Sequence, residues 1–560
     1  MKTQFDTKTF VIALALVAAG SQAFAAPPTT TDPGMINKGM MEERRAPSRI
    51  EETVVVPKDE ASGKGLSDKK VFTLKAVILD GSTAYTNADI APLFKDMVGQ
   101  MVSFADLNTI AQRVTRKYRE DGYIFSRAVL PPQKISDGVV HLEAVEGRIA
   151  NVELVGNFHD NNGLIHRMAE KIKSSSAANT KEIERYLLLI DDLPGITAKS
   201  FVKPSVVKGG GDLIIEVQED LFEGSASIDN RGSRYLGPWR GTLVGAFNDV
   251  LGLHDRTTIR GIMTSQTDEL KFADIYHEEQ IGADGFKIKG RAAITSANPD
   301  VPASPAIDGE SLLFDMEAVY PLVRGRQYNF NLVGGMNVLN SHTDLAGLRI
   351  STDRVRSARA GATFDFTDPL RGVNQFEVLG IQGLDIWNAT NDNNVPARSR
   401  ANGDQTFLKG TLTATRVQEL WDLFSLMLTG TGQVSRDPLL ASEEFAVGGG
   451  SYGRAYDAGE ITGDSGWAGA AELRYGGPVQ NQFLQSYQVY TYLDYGKVDN
   501  KSPAVGEAAE DSLTSAGLGL RFNVVHSWTG YVELDTPLNK EVASEGDRDS
   551  RLFFSVLKRF

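Results

Sequence analysis

Gln327-Tyr328-Asn329-Phe330-Asn331-Leu332-Val333-Gly334-Gly335-Met336-Asn337-Val338 reads with a period of two. Tyr328, Phe330, Leu332, Gly334, Met336 and Val338 are apolar or small, while Gln327, Asn329, Asn331 and Asn337 between them are polar. The same phase separation returns twice. Phe424, Leu426, Leu428, Gly430 and Val434 alternate with Ser425, Thr429, Thr431, Gln433 and Ser435. Tyr487, Val489, Leu493 and Tyr495 alternate with Ser486, Gln488, Tyr490, Tyr492 and Asp494. Alternation over about ten residues with aromatics near the ends suits a transmembrane barrel: lipid takes one face, an aqueous lumen the other, and closure pairs every backbone group. A soluble β-sandwich alternates too. The far end tips the choice, because Leu552, Phe554, Val556 and the final Phe560 share one parity that only Lys558 breaks. Phe554, Val556 and Phe560 are therefore the candidate barrel-insertion signal. At about 21 residues per strand with its share of turn, 222–560 predicts about sixteen strands.

Composition agrees. The 560 residues are 41% hydrophobic and 8% aromatic, and no run of about 18 apolar residues offers a helical span. A barrel hides in such figures, since only alternate residues meet lipid. Zero cysteines excludes disulfides, thiolate metal sites and cysteine nucleophiles, and a net charge of −14 argues against nucleic-acid binding. Lys2 and Lys8, the apolar stretch 10–20 and Ala23-Phe24-Ala25 form an export leader over 1–25.

Residues 26–70, with Pro27, Pro28, Pro33, Pro47 and Pro57, cannot build a core, though 35–45 is a candidate short helix. Residues 71–148 read as a β-α-α-β-β module. A strand over 71–79 faces Phe72, Leu74, Ala76 and Ile78 one way, and a helix runs 87–97. A second helix, capped by Ser103 with Asp106, carries the stripe Phe104, Leu107, Ala111, Val114 and Tyr118. The pattern repeats over 149–220, with Ile183, Tyr186, Leu187 and Ile190 in register on its second helix. The barrel follows over 221–560, and its segments 298–309, 388–404 and 497–511 read as long exposed loops.

Leader, linker, paired modules and barrel resemble the two-partner secretion transporters, the haemolysin secretion/activation barrels with POTRA (polypeptide-transport-associated) modules. Leu188-Leu189-Ile190-Asp191-Asp192-Leu193-Pro194-Gly195 resembles their second-module signature. Asp229-Asn230-Arg231-Gly232, Gly237, Asn248-Asp249, Gly252 and Asp255 resemble their first barrel hairpin. The most specific stretch is 448–467, which resembles their inward-folded loop with its V-R-G-Y/F core. Gly450, Ser451, Arg454, Tyr456 and Asp457 are its residues here, with Gly453 where valine is common and Ala455 where glycine is usual. The resemblance pairs Arg454 with the aspartate of an F-x-D strand motif, matched by Tyr492-Leu493-Asp494, and the alternation independently turns Asp494 into the lumen. It also makes 35–45, with Ile36, Met40, Arg44 and Arg45, a pore plug.

The implied function is an outer-membrane pore. It secretes, with activation in some members, a dedicated TpsA-like exoprotein from periplasm to cell surface without nucleotide hydrolysis, and conducts ions. The implied partners are that exoprotein's N-terminal secretion domain, held by the POTRA modules, outer-membrane lipid, and the barrel-assembly machinery during biogenesis. A barrel-insertion factor is the alternative, and a diffusion porin would leave the modules idle. No catalytic, metal or cofactor site is expected. The seven histidines lack zinc spacing, and the glycine runs 448–453 and 209–211 lack the strand–helix context of a hydrolase elbow or phosphate cradle.

Overall fold

The computed structural model describes residues 31–41, 67–173, 177–207, 210–391, 397–503 and 508–560. The leader over 1–25, Arg44 and Arg45 of the candidate plug, and Lys208-Gly209 lie outside the described residues. Sixteen antiparallel strands, from Phe222–Asp229 to Arg551–Arg559, follow one another in chain order and close into a barrel. Leu243, Ile294 and Val434, between 57% and 73% exposed, stand on its outer wall. Arg260 and Asp274 (2.8 Å) and Arg359 and Asp315 pair inside. Segregation of the two phases is thus the lipid–water partition written strand by strand. Lys558, the break in the terminal stripe, turns its ammonium to the carbonyl of His526 and lies 5.8 Å from the rings of Trp528 and Phe560. Its aliphatic stem stays among apolar neighbours while the charge leaves the lipid-facing band.

Beneath the short turns hang two α+β modules. In the first, strand Val139–Val145 lies between parallel Ala76–Asp80 and antiparallel Arg127–Val129, against helix Phe104–Glu120. Ser103 and Asp106 form the reciprocal cap at its start. The strand expected over 71–79 is broken. Phe72–Thr73 pairs with Met101–Val102, and the chain jogs at Leu74-Lys75, whose amides bond Gln100 and Gly138. The jog reverses the parity, so Leu74, Val77 and Leu79 are buried instead of Ala76 and Ile78. The helix expected over 87–97 stops at Asn87–Ile90 and tightens into a 3-10 turn at Ala91–Leu93, because Pro92 has no amide hydrogen to continue it. Phe104 is exposed at its helix start, and Ile110 takes its place in the stripe.

The second module stacks helices Leu164–Lys173 and Thr180–Asp191 on a sheet ordered Arg148–Asn157, Gly210–Glu219, Ile196–Pro204. Tyr186 and Leu187 pack half-buried against the module core, and Leu189 is buried as well because a barrel turn covers it: a Cβ on Gly285 would meet its side chain at 2.5 Å. The modules are tied at Thr180 N to Gly122 O and Ala178 N to Gly147 O, both 2.8 Å.

The second module is also fastened to three successive barrel turns. Arg324 forks onto Asp192 at 2.6 and 2.7 Å, Arg185 donates to the carbonyls of Asp284 and Pro321, and His254 Nε2 lies 3.1 Å from Asp160. Gly195, at φ +71°, packs so closely that a Cβ there would fall 2.4 Å from the Asp220 carbonyl and 2.6 Å from Asn248. The module signature and the first hairpin motif are therefore two sides of one joint.

Candidate functional site

Among the described residues, two segments of the chain itself occupy the lumen. The first is a nine-residue helix, Pro33–Met41. Asp32 caps it, accepting from Met35 N at 2.9 Å, and Pro33 occupies the first turn where a missing amide hydrogen costs nothing. Burial, reinforced by the charge of Asp353, pushes the Asp32 carboxyl up to about 7. Ile36 and Met40 pack with the cluster Leu236, Leu270 and Ala297, and Met40 and Met41 against a larger cluster that includes Leu313, Leu339 and Val355. Those last three are apolar residues standing in the polar, inward phase of their strands, which was the sequence signal for the helix's seat. Asn37 donates to Ser311 at 3.1 Å, and Lys38 pairs with Glu443. Burial opposes the charge on Glu443, but Lys38 and Lys409 outweigh it and hold the carboxyl down at about 2.

The second segment is the stretch between strands Phe424–Ser435 and Ser465–Pro478, which folds inward as a small hairpin, Phe445–Val447 with Ile461–Gly463. Its tip carries Arg454, which is 2% exposed. The guanidinium forks onto Asp494 through Nε and Nη2, both at 3.1 Å, and the Arg454 amide adds a third bond of 3.1 Å to the same carboxylate. Nη1 reaches Glu472 at 2.7 Å and Glu533 at 3.4 Å. The ring of Tyr492 lies under it, 3.4 Å from centroid to Cζ. Arg521 and Arg474, both 2.6 Å from Glu472, balance the remaining charge. Charge-assisted bonds on every side make burial of so many ions tolerable.

Tyr456 donates to the Thr514 carbonyl at 3.1 Å, and Asp457 is held by Arg551 at 2.8 Å. Gly453 supplies the left-handed backbone, φ +74°, while Ala455 stays in ordinary space and is fully buried. Gly450 sits 3.9 Å, from its Cβ position, to the Arg231 side chain, and Ser451 is half-buried beside it. Sequence reasoning missed Glu472, Glu533, Arg474 and Arg521, although each lies in the inward phase of its strand. Of the loop expected to be exposed over 388–404, the described residues 397–404 fold partly inward. Arg400 is buried there, 2.6 Å from Asp464 and 3.1 Å from Glu444, because its charge finds carboxylates only at the base of the inward loop.

At the far terminus Phe554 faces outward against Trp239 (5.0 Å between ring centroids), Val556 is exposed on the wall, and Phe560 N bonds Gly224 O at 2.9 Å.

Comparison with known proteins adds three findings. Residues 209–522 match the family model described as haemolysin secretion/activation protein ShlB/FhaC/HecB, and residues 72–147 match the ShlB-type POTRA domain. The heme/hemopexin transporter protein HuxB of Haemophilus influenzae (strain ATCC 51907) is 25% identical over 504 residues, 87% of either chain. The outer membrane transporter CdiB of Escherichia coli O6:K15:H31 is 24% identical over 439 residues, 76% of this chain and 72% of its own. Among solved structures, CdiB from Escherichia coli superposes with a TM-score of 0.75 at 20% identity, covering 90% of this chain and 93% of that one.

Proposed function

This chain belongs to the haemolysin secretion/activation family ShlB/FhaC/HecB and is an outer-membrane two-partner secretion transporter, and we propose that it works by exchanging one lumen occupant while keeping the other. The helix Pro33–Met41 is the plug, with Ile36 and Met40 as its seat contacts. It leaves when the exoprotein docks. The inward loop is the fixed part, with Arg454 latched on Asp494. Breaking that latch shifts a conformational population rather than removing a chemical step.

The single observation that carries this reading is the contrast in how the two are held: the loop by a buried arginine among three carboxylates, the helix by apolar packing, one neutral hydrogen bond and one ion pair. The exoprotein's secretion domain is recognised below by the POTRA modules. An extended segment adds to a free sheet edge, and Ile196–Pro204 is such an edge, paired on one side only and carrying exposed Phe201 and Val202. Folding of the exported polypeptide outside supplies the free energy, so nucleotide is not consumed and the protein is not an enzyme. Phe554, Val556 and Phe560 present the insertion signal to the assembly machinery, and the apolar outer wall meets outer-membrane lipid.

Secretion assays with Arg454→Ala in a barrel that remains heat-modifiable test the reading. Normal export by that variant would remove it.

A further inference from the structure

The barrel is weakest where its ends meet. The last strand pairs with the first over a five-residue ladder only, from Ser555 opposite Asp229 to Arg559 opposite Ser225. The first strand's other edge, against Arg240–Asn248, runs for eight. Above that short ladder the seam is continued by side chains. Asn230 stands in for a strand residue: its Nδ2 donates to Leu552 O at 2.8 Å, its Oδ1 accepts from Phe554 N at 2.7 Å, and its own amide reaches Phe554 O at 3.3 Å. Arg231 then crosses over the last strand. Its Cζ lies 4.2 Å from the centroid of Phe553, and it bonds the strand beyond, Trp528–Pro537, through Tyr531 (2.9 Å), Glu533 and Asp535 (3.3 Å).

Arg231 is also bonded to the inward loop. Its Nη1 donates to the carbonyl of Arg454 at 3.0 Å. Glu533 is divided between the two arginines, with one oxygen on Arg231 and the other on Arg454 and on the hydroxyl of Tyr490, which is 2.6 Å away. Seam clamp and loop latch therefore share one buried carboxylate and one main-chain bond. A guanidinium that withdraws leaves Glu533 under-neutralised at 2% exposure, and the remaining arginine must shift to compensate.

We propose that Arg231 and Glu533 are positioning residues that make closure of the first-to-last strand seam depend on the latched state of the inward loop. This rests on the latch reading above and extends it: the loop seals the lumen and, through Glu533, also holds the wall shut at its shortest joint. With the loop latched throughout transport, that joint stays closed while a chain passes.

The chain has no cysteine, so a registered pair across the seam, Ser227→Cys with Leu557→Cys, reports closure by disulfide yield under copper–phenanthroline in native outer membranes. Arg454→Ala, Arg231→Ala and Glu533→Gln are each expected to lower the yield at least threefold. Combining Arg454→Ala with Arg231→Ala lowers it little beyond the worse single change, because both act on Glu533. Arg359→Ala, which strips a lumen arginine from Asp315 and Glu317 away from the seam, leaves the yield unchanged. If Arg231→Ala does not assemble, Arg231→Lys replaces it. Wild-type yield in the Arg454→Ala background, or an equal fall with Arg359→Ala, overturns the coupling. Export measured in the same strains keeps the two readings apart: lost export with an intact seam removes only the coupling, and a loosened seam with normal export removes only the latch.

Discussion

The plug helix and the inward loop occupy the same lumen, but they are held in opposite ways. Lys38 keeps a quarter of its side chain in solvent, and its partner Glu443 retains Lys409 at 2.8 Å when Lys38 goes. Removing Lys38 strands no charge, so the pair is worth about 1 kcal/mol. Arg454 is enclosed, and its loss would leave Asp494, Glu472 and Glu533 to share fewer cations, a change of about 3–5 kcal/mol. One attachment is weak and the other strong. On the proposed reading, the part that leaves and the part that stays differ in how completely each charge is desolvated.

The sharpest way to break this contrast is Arg454→Ala. Secretion should fall at least tenfold in an assembled barrel whose unfolding temperature is also lowered, measured by export assay and heat-modified gel mobility. An assembled variant exporting normally would place the loop among the passive fittings. Next in size, deleting 33–41 should raise single-channel conductance several-fold in planar bilayers. Unchanged conductance would mean the helix does not block flow. Lys38→Ala should act in the same direction but weakly, raising the frequency of open events about fivefold, the equivalent of about 1 kcal/mol, without changing their amplitude.

The smallest effect is one of pH. Asp32 has its carboxyl raised to about 7 in the docked helix, above the ordinary carboxylate value, so docking is fully supported in acid and loses support as pH rises towards 7. Openings should become more frequent between pH 5 and 8, and Asp32→Asn should flatten the dependence. A pH profile identical in Asp32→Asn would assign the titration elsewhere.

The wall was legible in the sequence because lipid and water sort side chains residue by residue, with no need of distant partners. Tyr328 to Val338 and Tyr487 to Tyr495 declared their two faces alone. Asp494 could be placed in the lumen the same way, but its meeting with Arg454 came from the motif's resemblance, not from spacing. The rest of the cluster depends on register. Glu472, Asp494, Arg521 and Glu533 lie on four consecutive strands, and a shift of two residues in one pairing would disperse them without altering any strand's pattern. Short-range breaks misled in the first module, where the jog at Leu74-Lys75 inverted the parity expected for Ala76 and Ile78. The seat of the plug was visible only as an anomaly, Leu313, Leu339 and Val355 in the watery phase, which no local rule explains.

The joint beneath the pore has a mechanical consequence. Its anchors fall on turns 249–255, 282–285 and 325–327, which together link six neighbouring strands. Torque on the second module is therefore delivered as shear to one arc of the cylinder. The arc bearing Glu472 and Asp494 receives none of it directly. A tug from below can flex the side on which the plug helix rests while the opposite side stands still.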